Sequence, residues 1–163
     1  MTAPTESLDV LYRSRLTLLD HLDTAGYNTA PFRRFSMKEV GEMVKAGANG
    51  AITQMFFNSD AYFRFVDDAH ALGADIPVVP GIMPITNASG IMRFADSCGT
   101  EIPRWMRLRL MGFGDDTESI RAFGLDVITD LCDQLRTAGV PGLHFYTMNQ
   151  STAVLEICRR LGL

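Results

Sequence analysis

From Gly47 onward, short apolar runs alternate with capped helical stretches, and this alternation restricts the fold more than any other feature. Gly50-Ala-Ile-Thr-Gln-Met-Phe-Phe57 is long enough for a buried strand and too short for a helix. Asn58-Ser59-Asp60 then opens a helix to about Leu72, ending at Gly73. Pro77-Val-Val-Pro-Gly-Ile82 is a second strand, its prolines confined to ends or to positions without ladder bonds. Thr86-Asn87 caps a helix to Cys98 that Gly99 closes, and Pro103 begins a short amphipathic helix from Ile102 to Met111. Asp115-Asp-Thr-Glu118 leads a long helix to Ala138 and Gly139. Gly142-Leu-His-Phe-Tyr-Thr-Met148 is the third strand, and Asn149 caps a last helix through Arg160. Strands alternating with helices predict βαβ units and a parallel sheet, with only three strands to build it.

Residues 1–45 read as helical throughout. Thr5 or Ser7 can cap a first helix, whose stripe is Leu8, Leu11, Tyr12, Leu18, Leu19 and Leu22, with Gly26 as its stop. Asn28-Thr-Ala-Pro31 is a turn-rich link. Ser36-Met-Lys-Glu39 is a capping box with Phe35 and Val40 as hydrophobic staple, so a second helix runs to about Ala46. This helical segment is expected to cover apolar surface of the sheet.

The 163 residues suit one domain, and a net charge of −4 gives no electrostatic case for nucleic acid or an anionic membrane. No apolar stretch approaches the roughly 18–20 residues that span a bilayer. The start has neither the basic end nor the apolar run of a signal peptide, and a cytoplasmic location is expected. Cys98, Cys132 and Cys158 form no C-x-x-C pair, and His21, His70 and His144 fall in no metal-ligand spacing, so no metal is assigned.

Ala46-Gly-Ala-Asn-Gly-Ala-Ile-Thr-Gln-Met-Phe-Phe57, Pro80-Gly-Ile-Met-Pro84, Ile102-Pro-Arg-Trp105, Phe123-Gly124 and Leu143-His-Phe-Tyr-Thr-Met-Asn149 together resemble the methylenetetrahydrofolate reductase family. The resemblance runs from about residue 46 to residue 163 and leaves residues 1–45 as a helical segment foreign to the family. It implies an α/β chain folded as a partial (β/α)8 TIM barrel, namely the last three β/α units. It also implies a flavin-dependent oxidoreductase, using FAD and NAD(P)H to reduce methylenetetrahydrofolate to methyltetrahydrofolate in one-carbon and methionine metabolism. Where the family grips the flavin with aspartate, asparagine and lysine, Ser36 to Lys45 offers Glu39, Glu42 and Met43. The family's catalytic glutamate and flavin-side aspartate have no counterpart here. The resemblance therefore assigns no residue of this chain to catalysis or to the flavin. A non-catalytic interaction module, or a fused or truncated remnant, stays open as the alternative. So do a homo-oligomer and a complementing chain as partners.

The resemblance also implies three contacts to folate or nicotinamide. Gln54 corresponds to a glutamine that holds the pterin and, in the other half-reaction, the nicotinamide. By the strand period Ile52, Gln54 and Phe56 share one face, and an amide offers a pterin both donor and acceptor. Phe94 corresponds to a stacking phenylalanine, and Gln150 to a position that often carries arginine for the folate's glutamate tail. Gly90 replaces a folate-holding glutamine. The remaining polar groups read as structural. His144, Tyr146 and Met148 share a strand face without a carboxylate to orient them. Arg104, Arg107 and Arg109 form a solvated face beside a packed Trp105, and Asp115-Asp116 caps a helix.

Overall fold

The computed structural model describes a strand at Leu16–Thr17 and residues 37–163. In chain order these are β1 (Leu16–Thr17), α1 (Met37–Lys45), β2 (Ala51–Met55), α2 (Ser59–Ala71), β3 (Val78–Ile82), α3 (Ala88–Cys98), α4 (Arg104–Gly112), α5 (Thr117–Thr137), β4 (His144–Phe145) and α6 (Thr152–Arg160). The sheet order is β1-β2-β3-β4, with β2, β3 and β4 parallel as the alternation predicts.

Residues 1–45 are not helical throughout. Leu16–Thr17 is extended and pairs antiparallel with β2, Leu16 opposite Thr53 and Thr17 opposite Ile52. A sheet edge presents unpaired N–H and C=O groups, and two extended residues that satisfy some of them outweigh local helix preference. The second predicted helix is present as α1, with Val40 buried in the core. The first-helix caps and stripe, the Gly26 stop, the Asn28–Pro31 link, the Ser36 capping box and its staple rest on residues outside those described.

Asn58, Asn87 and Asp116 cap α2, α3 and α5, accepting from the backbone N–H of Asp60, Gly90 and Ser119. Gly99 closes α3 in the left-handed conformation, at φ 67°. Met55, Ile82, Met106, Leu110, Ile128, Leu135 and Ile157 carry almost no exposed surface and tie the sheet to α4, α5 and α6.

The second strand is shaped by its prolines as expected. Between Ile52 and Met55, β2 contains one residue more than the facing stretch of β3, whose Val79 and Gly81 pair with those two positions. Pro80 lies opposite this bulge, where a missing N–H forfeits no ladder bond. The bulge also breaks the two-residue alternation: Thr53, Gln54, Met55, Phe56 and Phe57 are all buried.

The third strand is shorter than its apolar run. The ladder continues one bond past β4, from Tyr146 N to Ile82 O at 2.8 Å. Met148 and Asn149 then adopt left-handed backbone, at φ 48° and 60°, and turn the chain away. Asn149 is therefore not the cap of the last helix. Ser151 holds the cap position without a side-chain bond.

Candidate functional site

A cavity of about 380 Å³ opens where β3 and β4 end. Its walls are the loop after β3 (Met83 to Thr86), α5 at Arg121, Gly124 and Leu125, the end of β4 from Tyr146 to Met148, and Gln150 with the first turns of α6. Parallel α/β folds place ligands at the carboxyl ends of their strands because the connecting loops diverge there. Two local features shape this opening. Gly124 brings α5 against the Ile85 backbone, where any Cβ would overlap the Ile85 carbonyl oxygen. The left-handed pair Met148–Asn149 swings the chain outward, and such backbone in non-glycine residues concentrates at sites held by their surroundings.

The lining is mostly apolar, with a few polar groups set into it. Tyr146 donates its hydroxyl to the Thr53 carbonyl at 3.0 Å, and burial raises its pKa. Glu156 is held by Arg159 at 2.6 Å and Arg160 at 3.3 Å. The Arg159 hydrogen bond leads the causes that lower its pKa to about 2, so the carboxylate is ionised and already paired. Arg160 is shared with Asp126 at 2.7 Å. Arg121, on α5, makes no ion pair among the described residues.

Of the three residues assigned from the resemblance, Gln150 lines this cavity; Gln54 and Phe94 do not. Gln54 is 2% exposed, and its amide is engaged within the protein. Its Oε1 accepts from Met55 N at 3.0 Å and its Nε2 donates to Cys98 Sγ at 3.4 Å. Phe94 lies one turn before Cys98 on α3, half-buried against the core. The two therefore cluster around α3, while Gln150 belongs to the β4 end.

Gln150 precedes α6 instead of opening it, and its N–H closes a turn onto Thr147 O. The His144 and Tyr146 rings meet edge to face at 4.8 Å. Trp105 is not packed beside the arginines: it is 57% exposed, touching Phe123 only by an edge-to-face contact at 6.0 Å. Arg121 and Glu156 escaped sequence reasoning because each reads as the polar side of an amphipathic helix. The signal that pointed to Arg121 was Gly124 in the same helix, a mark of close backbone approach.

The residues matching the flavin-gripping helix do not fit FAD. α1 carries Lys38 and Lys45 beside Glu39 and Glu42, and the positions matched to the flavin contacts hold Glu39, Glu42 and Met43. A pyrophosphate needs N–H donors and positive charge, and two glutamates and a methionine supply neither there. No step through a flavin follows from these residues. Among the described residues, no group of three His, Cys, Asp or Glu side chains is placed to hold a metal, and no helix is long and apolar enough to cross a membrane.

The family model described as methylenetetrahydrofolate reductase matches residues 28–162. It reaches back over α1, beyond the start near Ala46 read from the motifs. A methylenetetrahydrofolate reductase (NADH) 1 from Arabidopsis thaliana is 33% identical over 88% of this chain and 24% of its own length. The 5,10-methylenetetrahydrofolate reductase of Salmonella typhimurium is 40% identical over 73% of this chain and 40% of its own. Methylenetetrahydrofolate reductase 1 of Schizosaccharomyces pombe is 40% identical over 78% of this chain and 21% of its own. The chain thus spans less than half the length of these relatives. In fold it is similar to a solved structure of an uncharacterized protein from Clostridium thermocellum, described as binding two copies of 5-methyl-5,6,7,8-tetrahydrofolic acid. The TM-score is 0.53 and the identity 16%, covering 78% of this chain and 48% of that one. With the ordered motifs, the parallel β/α units and these matches in agreement, the chain belongs to the methylenetetrahydrofolate reductase family.

Proposed function

We propose that this chain is the folate-facing part of a methylenetetrahydrofolate reductase-type barrel, its last three β/α units, and binds a tetrahydrofolate where β3 and β4 end. The observation that carries the reading is the cavity itself. It is an apolar-walled space with Tyr146 and Gln150 in its lining, at the strand ends where barrels bind ligands. The folate-binding fold neighbour and the family membership support a folate as the ligand. The parent reaction passes a hydride from NAD(P)H to FAD and on to the methylene group. For this chain we propose the binding role and not the flavin step.

Gln150 fits this role as the amide in the lining, offering the ligand both a donor and an acceptor. Titration calorimetry with 5-methyltetrahydrofolate tests the reading. Binding to the wild-type chain is expected, weakened about tenfold in Gln150→Ala, where an amide contact to the ligand is lost. No binding to the wild type, or equal binding to both, overturns it.

A further inference from the structure

We propose that Arg121 is the residue that selects a carboxylate-bearing ligand in this cavity, a role that rests on the folate reading only for the identity of the rest of the ligand. Charge accounting around the opening motivates it. The ionisable groups in the lining are Arg121, Tyr146 and Glu156. Tyr146 is a neutral phenol whose hydroxyl is committed to the Thr53 carbonyl. Glu156 is matched by Arg159 and Arg160 on its own helix, and Arg160 also holds Asp126. Arg121 is left as the charge in the lining with no ion-pair partner among the described residues.

Its neighbours fix the kind of anion. Leu125, one turn further along α5, continues the same wall in apolar form, and Met83 and Ile157 extend it. An inorganic anion would leave that apolar surface unused. An aromatic body carrying a carboxylate would use both, the ring against the apolar wall and the carboxylate in the guanidinium fork. Gln150, also in the lining, adds an amide donor but no charge. Selection for the anion therefore falls to α5 and not to the β4 end.

The test compares three probes on the whole chain by calorimetry: 5-methyltetrahydrofolate, p-aminobenzoylglutamate and 6-methyltetrahydropterin, which lacks the carboxylates. Arg121 is exposed and unpaired, so Arg121→Gln and Arg121→Lys are expected to melt with the wild type. The two carboxylate-bearing probes should bind Arg121→Gln about three- to tenfold more weakly, as suits a partly exposed ion pair, with Arg121→Lys in between. Their wild-type affinity should fall with added salt, and 6-methyltetrahydropterin should not distinguish the variants. Loss of all three probes alike, or of none, overturns the role of Arg121. Arg121-dependent binding of p-aminobenzoylglutamate without any binding of 6-methyltetrahydropterin would sink the folate reading and leave Arg121 standing. No binding of any probe overturns both.

Discussion

The Tyr146 hydroxyl donates to the Thr53 carbonyl at 3.0 Å, reaching from the end of β4 to β2 across the intervening strand. Three sequence features make this bridge. Pro80 has no N–H to offer at the bulge, and Gly81 N turns to the Thr53 hydroxyl at 2.8 Å. The Thr53 carbonyl is thus left to the tyrosine. Gly81 supplies the passage, since a Cβ there would stand 2.7 Å from the tyrosine ring and overlap the Thr53 carbonyl oxygen.

Gly81→Ala is expected to cost about 3 kcal/mol, because the obstacle is backbone that cannot rotate aside. Tyr146→Phe removes only the hydroxyl and leaves a carbonyl of a buried residue short of a partner, a loss of about 1–2 kcal/mol. Urea midpoints of the two variants check the order. A Gly81→Ala chain as stable as the wild type would show that the strands can separate around the bridge.

Gly124→Ala tests how the cavity is built. The new methyl would meet the Ile85 carbonyl and side chain, pushing α5 away from the loop after β3. A loss of about 2 kcal/mol is expected, together with weaker 5-methyltetrahydrofolate binding, since Ile85, Gly124 and Leu125 share one wall. Unchanged affinity would place the folate site elsewhere.

The alternation of strands and capped helices was legible because each cap is a local bond: Asn58, Asn87 and Asp116 act within three residues of themselves. What escaped was decided over long range. Leu16–Thr17 is a strand because β2 has an edge to satisfy. Met148–Asn149 takes left-handed backbone, which asparagine favours but methionine does not announce. The site divided in the same way. Gln150 was found through a sequence motif beside the strand end it borders. Arg121 lies in a helix remote from that motif, and its place in the cavity depends on how α5 packs over Ile85.

Stability is expected to fall at alkaline pH, and the sign follows from the raised groups, Tyr146 among them. Burial lifts the Tyr62 phenol to about 12, while its hydroxyl donates to Val78 O at 2.6 Å. Burial, with Cys158 nearby, lifts the Cys132 thiol to about 12. Each keeps its proton in the fold at pH values where the unfolded chain releases it. Their contribution is therefore complete below about pH 9 and is lost as pH rises through 9 and 10 toward 12. Urea midpoints from pH 8 to 11 should decline for the wild type. Above pH 10 they should decline less steeply for Tyr62→Phe, which starts lower for want of the hydrogen bond. Parallel curves would exclude Tyr62 from the effect.

The chain as it stands is expected not to retain FAD through gel filtration, nor to oxidise a nicotinamide at enzymatic rates with an added electron acceptor. Tight dinucleotide binding needs donors for the pyrophosphate, and α1 places Glu39, Glu42 and Met43 at the matched positions, with Lys38 and Lys45 elsewhere on the helix. Two glutamates and a methionine there give the phosphates neither donor nor positive charge. Gln54, the residue matched to ring contacts, is turned into the protein against Cys98 and anchors no isoalloxazine. Hydride transfer draws much of its rate from holding donor and acceptor rings in register, so a site that binds only one ring forgoes that advantage. Absorbance near 450 nm after reconstitution and desalting measures retention directly. Glu39→Asn with Glu42→Lys and Met43→Lys, which restore donors and charge to α1, should raise flavin affinity if charge is the obstacle. Stoichiometric flavin on the unaltered chain, with turnover, would show that α1 is not where the pyrophosphate lies.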